Sequence, residues 1–310
     1  MINHSIFEDA ALSYRKGVAL TFGVFDGIHI GHQAIINLMM KKAKAMDTDG
    51  IIITFDPHPA LLTSGKAPPM ITTIKKKIEV MGLLGVDKVM VEDFNEEFSR
   101  LSPEDFVGDI LISKYHAQEI VVGYDCAFGK DRKGDKWLLK NLGMKYGYSV
   151  DIVDPYTLGG EIVSSTRVRS EIMNGDLELA SRLLGRKYSI QGKVVIGKGI
   201  GNQIGHATAN LQLENVVLPP SGVYAVRVLL DSKIYDGVLN MGLQPTFEES
   251  KFRVEVHLMN FDRVLYGKEL EVFFIKKIRS EKRFKDAKEL ADQIEHDEKI
   301  ARQMIINDIT

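Results

Sequence analysis

Two patterns of apolar residues divide the chain. In the first half, apolar runs of strand length recur: VALTF (18–22), IIITF (51–55), VDKVMV (86–91), EIVVG (119–123) and SVDIV (149–153). Runs this continuous suit strands buried on both faces. Between them the apolar positions return at helical spacing. Residues 33–45 place Ile35, Ile36, Met39 and Ala43 on one side. Residues 103–115 follow Ser102 as N-cap, with Pro103 in the first turn and Asp105 three residues after the cap. Further helices are expected over 133–146 and, as two short pieces, over 166–184. Strand–helix alternation at this spacing predicts a mostly parallel sheet covered by helices on both faces.

Near Gly185 the character changes. The runs SIQGKVVIG (189–197), VYAVRVLL (223–230), KIYDGVLN (233–240), FRVEVHLM (252–259) and LEVFFIKKI (270–278) are separated by turns. Asp231-Ser232 sits between two of them and predicts a tight hairpin. Short strands of this kind predict a small antiparallel barrel or sandwich. A closing helix carries Ala287, Leu290, Ala291, Ile294, Ala301, Met304 and Ile305 as one apolar stripe. The expected domains are 1–186 and 187–310.

Composition narrows the classes. A chain of 310 residues with 45% hydrophobic content has ample material for two cores. Its 40 basic and 42 acidic residues give no global attraction to nucleic acid or to an anionic membrane. Neither is expected as a partner, and any self-association is expected to be transient. One cysteine, Cys126, excludes an internal disulfide and fits a reducing compartment. The segment MINHSIFEDA lacks a basic region followed by an apolar one, and no apolar run reaches membrane-span length. A cytoplasmic protein is expected.

Three unusual segments follow predicted strands, at the carboxyl edge where open parallel sheets bind ligands. TFGVFDGIHIGH (21–32) follows the first, GYDCAFGKDRKGD (123–135) the fourth, and SSTRVRSEI (164–172) comes after the fifth. His29 and His32 bracket Gly31 at a helix start, where backbone N–H groups favour an anion. Ser164, Ser165, Thr166, Arg167 and Arg169 add hydroxyl and guanidinium donors. Donors aimed at growing negative charge on phosphorus are what a phosphate-transfer site needs, with no covalent nucleophile required. Other readings stand beside this one. His29, His32 and His58 could form part of a zinc site, the serines could only cap a helix, and Cys126 could be a small apolar filler. No GxxxxGK[ST] loop is present, so a P-loop NTPase is not suggested.

GVFDGIHIGH with SSTRVR resembles the nucleotidyltransferase superfamily. TFDPHP (54–59) and GYDCAFGKDRKGD resemble the adenylyltransferase module of bacterial bifunctional riboflavin kinase/FMN adenylyltransferases, the FAD synthetases. The resemblance implies a Rossmann-like domain in which the FMN phosphate attacks the α-phosphorus of ATP, giving FAD and pyrophosphate. It implies ATP phosphates at His29 and His32, nucleotide contacts at Gly23, Phe25, Asp26, Gly27 and Gly31, and Ser165, Thr166 and Arg169 on the pyrophosphate. Phe55, His58, Asp125 and Phe128 would lie near flavin or nucleotide. The family often has an aromatic where this chain has Cys126.

The second half carries a glycine-rich stretch, GKGIGNQIGHATANL (197–211), which could wrap phosphates or be a barrel hairpin. Thr208 and Asn210 offer neutral oxygens suited to Mg²⁺. Glu255 interrupts an apolar strand, either paired with Arg253 or acting as a general base on an alcohol. This half resembles the riboflavin kinase module of the same family, so the resemblance covers nearly the whole chain. It implies a β-barrel with a C-terminal helix and Mg·ATP at Gly197, Lys198, Gly199, Gly201, Gly205, Thr208 and Asn210. It also implies Glu255 as base for riboflavin, and Arg279 and Phe284 near flavin. The loop departs from the family's pattern: Asn202 replaces a basic residue, His206 an aromatic and Ala207 a proline. A working but weakened kinase is expected. The alternatives are a monofunctional FMN adenylyltransferase with an inactive barrel, or a flavin-binding regulator.

Overall fold

The computed structural model describes residues 17–196, 208–245, 250–261, 263–282 and 284–308. The chain forms two compact units, 1–167 and 168–310.

The first unit runs β1 (Val18–Phe22), α1 (Ile30–Met46), β2 (Gly50–Asp56), α2 (Pro59–Ser64), α3 (Ile74–Leu83), β3 (Lys88–Asp93), α4 (Glu96–Ser99) and α5 (Pro103–Asp105). It continues through β4 (Ala117–Gly123), β5 (Ala127–Phe128), β6 (Gly134–Asp135), α6 (Lys136–Tyr146), β7 (Ser149–Val153), β8 (Thr157–Leu158) and β9 (Glu161–Ile162). The main sheet has the order β3-β2-β1-β4-β7 and is parallel throughout. All five apolar runs form strands of this sheet. Side chains alternate between its faces. Val18, Leu20, Ile51 and Ile53 pack with Phe106, Leu111 and Leu139 on one side. Ala19, Ile52 and Val121 pack with Ile36, Met39 and Ile78 on the other. Both faces are covered, as the continuous apolar runs require.

The helix expected over 103–115 starts as predicted, with the Asp105 N–H donating to Ser102 Oγ at 3.1 Å. From Phe106 to Lys114 it widens into a π-helix. Apolar spacing does not separate these two pitches.

In the second unit, α7 (Ser165–Asn174), which crosses the division, and α8 (Leu177–Leu184) precede the strands β10 (Ser189–Val195), β11 (Thr208–Leu213), β12 (Gly222–Leu230), β13 (Lys233–Pro245), β14 (Ser250–Leu258) and β15 (Glu269–Arg279). They close into an antiparallel barrel in the order β10-β11-β14-β13-β12-β15. Asp231 and Ser232 turn the β12–β13 hairpin with φ of 47° and 65°, the left-handed pair that matches strand twist. Residues 208–213, read from the sequence as the end of a loop, are a strand. Ala209 and Leu211 are buried while Thr208 and Asn210 are half-buried, so a period of two was hidden behind the glycines. The last helix, α9 (Ala287–Asn307), starts at Asp286, whose carboxylate accepts from the Glu289 N–H at 2.9 Å. Its Ala301 and Ile305 pack on Val223, Ala225 and Val238 of the barrel.

Candidate active site

The chain lays β1 in the middle of the sheet, builds outward through β2 and β3, then returns to place β4 on β1's other side. The carboxyl ends of β1 and β4 therefore flank the switch point, where such sheets bind ligands.

The turn after β1 is tightly wound. Phe25, Gly27 and Ile28 all have positive φ, at 49°, 81° and 43°. Left-handed non-glycine residues cost energy and persist only where the surroundings hold them. Here Asp26, only 3% exposed, does the holding. Its Oδ1 accepts from the Ile71 N–H at 2.9 Å and the Thr72 N–H at 3.2 Å. The Gly27 N–H in turn donates to Thr72 Oγ1 at 3.0 Å, and Ser165 Oγ to the Asp26 carbonyl at 2.8 Å. The Asp26 carboxylate, read from the sequence as a nucleotide contact, thus ties the turn to the segment before α3.

His29 caps α1, its Nδ1 accepting from the His32 N–H at 3.2 Å. That bond places the ring proton on Nε2. The two imidazoles stack, and a β-carbon at Gly31 would come within 3.2 Å of the His29 ring. Glycine there makes the stack feasible. Phe25 meets the His32 ring edge-on, centroids 5.1 Å apart. Burial, His29 and Lys77 together hold His32 well below the ordinary histidine range, so its ring is neutral at pH 7. Among the described residues, three buried side-chain polar atoms have no hydrogen-bond partner: His32 Nδ1, Thr21 Oγ1 and Arg167 Nε.

A cavity of about 850 Å³ opens beside the turn. Gly23, Phe25, His32, Phe55, His58, Asp125 and Phe128 line it, so it joins the segments after β1, β2 and β4, while residues 164–172, the third segment singled out in the sequence, do not line it. Asp26, Gly27, His29, Gly31, Ser165 and Thr166 do not line it. Sequence reasoning missed much of the wall. Phe94 and Phe98, from EDFNEEF, stand 5.7 Å from Phe55 between ring centroids. Phe98, Phe106 and Phe128 continue the aromatic series at 6.0 and 5.6 Å. Asn95, whose Oδ1 accepts from the Phe98 N–H at 2.9 Å, was the readable signal. Arg100, Lys130 and Arg132 bring positive charge to the same cavity.

His58 caps α2 through Nδ1, accepting from the Ala60 N–H at 3.0 Å. Among the described residues, no group of three His, Cys, Asp or Glu side chains is placed to hold a metal. Cys126 packs partly buried against the core, and burial pushes its thiol up to about 12. This is the small-filler reading. Arg167 is committed elsewhere: it donates to the carbonyls of Leu158 and Glu161, both at 3.1 Å, and pairs with the Glu161 carboxylate. Arg169 lies one turn beyond Ser165 on α7.

On the barrel, register brings three polar residues into one row. Glu255 of β14 stands opposite Asn210 of β11 and Asn240 of β13. Thr208 lies two residues before Asn210, on the same side of β11. Asn240 was missed, because its strand reads as apolar on both sides. Burial holds the Glu255 carboxyl above the ordinary range, with Arg253 opposing. Arg279 is held by Asp297 of α9, Nη2 to Oδ2 at 2.8 Å, and lies 5.7 Å from the Phe284 ring. Gly197, Lys198, Gly199, Gly201, Asn202, Gly205, His206 and Ala207 lie outside the described residues.

Strand order and the histidine turn define an α/β nucleotidyltransferase fold joined to a closed barrel. Comparison with known proteins agrees with this class. A family profile described as FAD synthetase matches residues 12–167, and one described as riboflavin kinase matches 184–305. The chain is 38% identical to a bifunctional riboflavin kinase/FMN adenylyltransferase of Escherichia coli K12, covering 93% of both chains. It is 37% identical to one of Bacillus subtilis, covering 98% of this chain and 96% of the other. A crystal structure titled macrolide-efflux protein, from Streptococcus pneumoniae, superposes with a TM-score of 0.81 at 30% identity, covering 92% of this chain and 94% of that one. No helix among the described residues is long and apolar enough to cross a membrane. The chain belongs to the bifunctional riboflavin kinase/FMN adenylyltransferase family.

Proposed function

We propose that this enzyme of FAD biosynthesis divides its two reactions between residues 187–310, which phosphorylate riboflavin to FMN, and residues 1–186, which adenylylate FMN. In the second reaction an FMN phosphate oxygen attacks the α-phosphorus of ATP, and the bond to the pyrophosphate oxygen breaks. His29 carries its proton on Nε2 and offers it to the phosphates, while His32 lies beside it at the edge of the cavity. Ser165, Thr166 and Arg169 steady the departing pyrophosphate. The aromatic wall from Phe55 to Phe128 suits the flat isoalloxazine ring, with Asp125 and His58 at its polar edge.

In the first reaction Glu255 takes the proton of riboflavin's terminal ribityl hydroxyl as that oxygen attacks the γ-phosphorus of ATP and ADP leaves. Thr208 and Asn210 present neutral side-chain oxygens beside this carboxylate, a donor set that fits Mg²⁺. When bound, the ion would offset the negative charge of the ATP phosphates. Gly197, Lys198, Gly199, Gly201 and Gly205 are assigned to the ATP of this reaction, and Arg279 with Phe284 to its flavin. Location in the cytoplasm fits the single cysteine and the substrates.

The observation that carries this reading is the single cavity uniting the histidine turn with an aromatic wall. Chromatography of products, with riboflavin and FMN supplied separately alongside ATP and Mg²⁺, tests it. FMN from riboflavin and FAD from FMN are expected. Absence of FAD when FMN is supplied sinks the amino-terminal assignment, and absence of FMN sinks that of the barrel.

A further inference from the structure

Lys77 lies in IKKKIEV, which opens α3. Unlike an ordinary surface lysine, it is only 2% exposed. Burying an ammonium is costly unless its hydrogen bonds and charge are used. Its Nζ donates to the Val24 carbonyl at 3.0 Å and lies 3.5 Å from Thr54 Oγ1. Thr54 Oγ1 donates to the same carbonyl at 3.2 Å. One carbonyl of the histidine turn is thereby held from inside by two buried donors. Burial lowers the Lys77 pKa from the ordinary lysine value, and the Asp26 and Asp56 carboxylates oppose that fall by favouring the charged form.

The Val24–Phe25 peptide is trans, since the only cis bond among the described residues is Asp56-Pro57. In a trans peptide the C=O and the following N–H point in opposite directions. A carbonyl drawn toward Lys77 therefore aims the Phe25 N–H the other way. Val24 and Phe25 line the cavity, and Lys77 does not. We infer that Lys77 is a positioning residue for adenylyl transfer, its buried ammonium holding the Val24 carbonyl inward so that the turn presents its N–H side to the nucleotide. The ammonium also faces His32 from α3, as His29 does from the turn, and disfavours a second cation there. This inference rests on the proposed adenylyl-transfer site.

The test compares full-length wild type with Lys77→Met, Lys77→Gln and His32→Ala, measuring FAD formation from FMN against ATP concentration. The His32 ring is followed by proton NMR titration in the wild type and the Lys77 variants. Lys77→Met is expected to raise KM for ATP about tenfold, the size of one lost charge-assisted hydrogen bond, and to move the His32 titration to higher pH. Lys77→Gln keeps a donor for the carbonyl but no charge. It is expected to retain more of the ATP affinity while showing the same ring shift, and it is the variant to read where Lys77→Met fails to fold. A folded variant with wild-type KM and an unmoved His32 titration overturns the inference. If His32→Ala itself leaves FAD formation intact, the underlying site assignment fails instead.

Discussion

The His29 and His32 imidazoles lie face to face, centroids 3.6 Å apart and planes 17° from parallel. Stacked at this distance, two protonated rings would repel strongly, and burial, His29 and Lys77 already hold His32 well below the ordinary histidine range. Removing one ring deletes a donor and frees the other to rotate. His32→Ala is expected to lower FAD formation about 10²–10³-fold, as for other lost phosphate or oxyanion donors, while FMN formation from riboflavin continues. Parallel assays of the two half-reactions check this.

Glu255→Gln reverses that pattern. With its base removed, FMN formation is expected to fall about 10²–10⁴-fold, with FAD formation from supplied FMN unchanged. If one substitution in a folded protein removes both activities, the two-site division fails.

Burial raises the Glu255 carboxyl and Arg253 opposes the rise. A base must be ionised, so the acid limb of riboflavin kinase kcat/KM is expected above the ordinary glutamate range. Arg253→Gln is expected to move it higher still. Stability follows the same sign. A raised folded-state pKa contributes fully below the unfolded value and is lost as pH rises through the folded one. Glu255→Gln is therefore expected to gain stability relative to wild type as pH climbs toward 7, measured by denaturant unfolding across pH.

The Asp26 carboxylate satisfies two backbone N–H groups in a buried turn. Asp26→Ala leaves them without that acceptor and is expected to cost about 2 kcal/mol. Thermal unfolding of the variant, read beside its ATP affinity, separates this structural loss from a lost nucleotide contact.

Cys126 lines the cavity beside the histidine turn, and burial pushes its thiol up to about 12. Thiolate is the reactive form. Iodoacetamide at pH 8 is expected to label the native protein far more slowly than the urea-unfolded chain. Rapid native labelling, read by intact mass, counts against the buried packing.

The sequence revealed what backbone needs. Glycines beside histidines, a proline and serine at helix starts, and continuous apolar runs each restrict local geometry, so the sheet and the barrel were legible. Roles that depend on depth were not. Lys77 belongs to a run of three lysines that reads as a solvated face, and only tertiary packing submerges it. Asp26 and Arg167 looked like ligand contacts because they sit in the right motifs, yet their groups are engaged by Ile71, Thr72, Leu158 and Glu161. Phe94 and Phe98 reach the cavity from an otherwise acidic loop. Asn240 gains meaning only through its register with Glu255.

β1, the first strand among the described residues, sits at the middle of its sheet, and β4 joins its flank only after two helix-linked strands have been laid down on the other side. A ribosome that has released only the first three strands has made half a pocket. At the proposed adenylyl-transfer site, nucleotide meets both flanks of the cavity only once the returning strand has docked. If ATP binds at the proposed site, its protection against proteases is expected to extend from the histidine turn to β4 rather than stop at the turn.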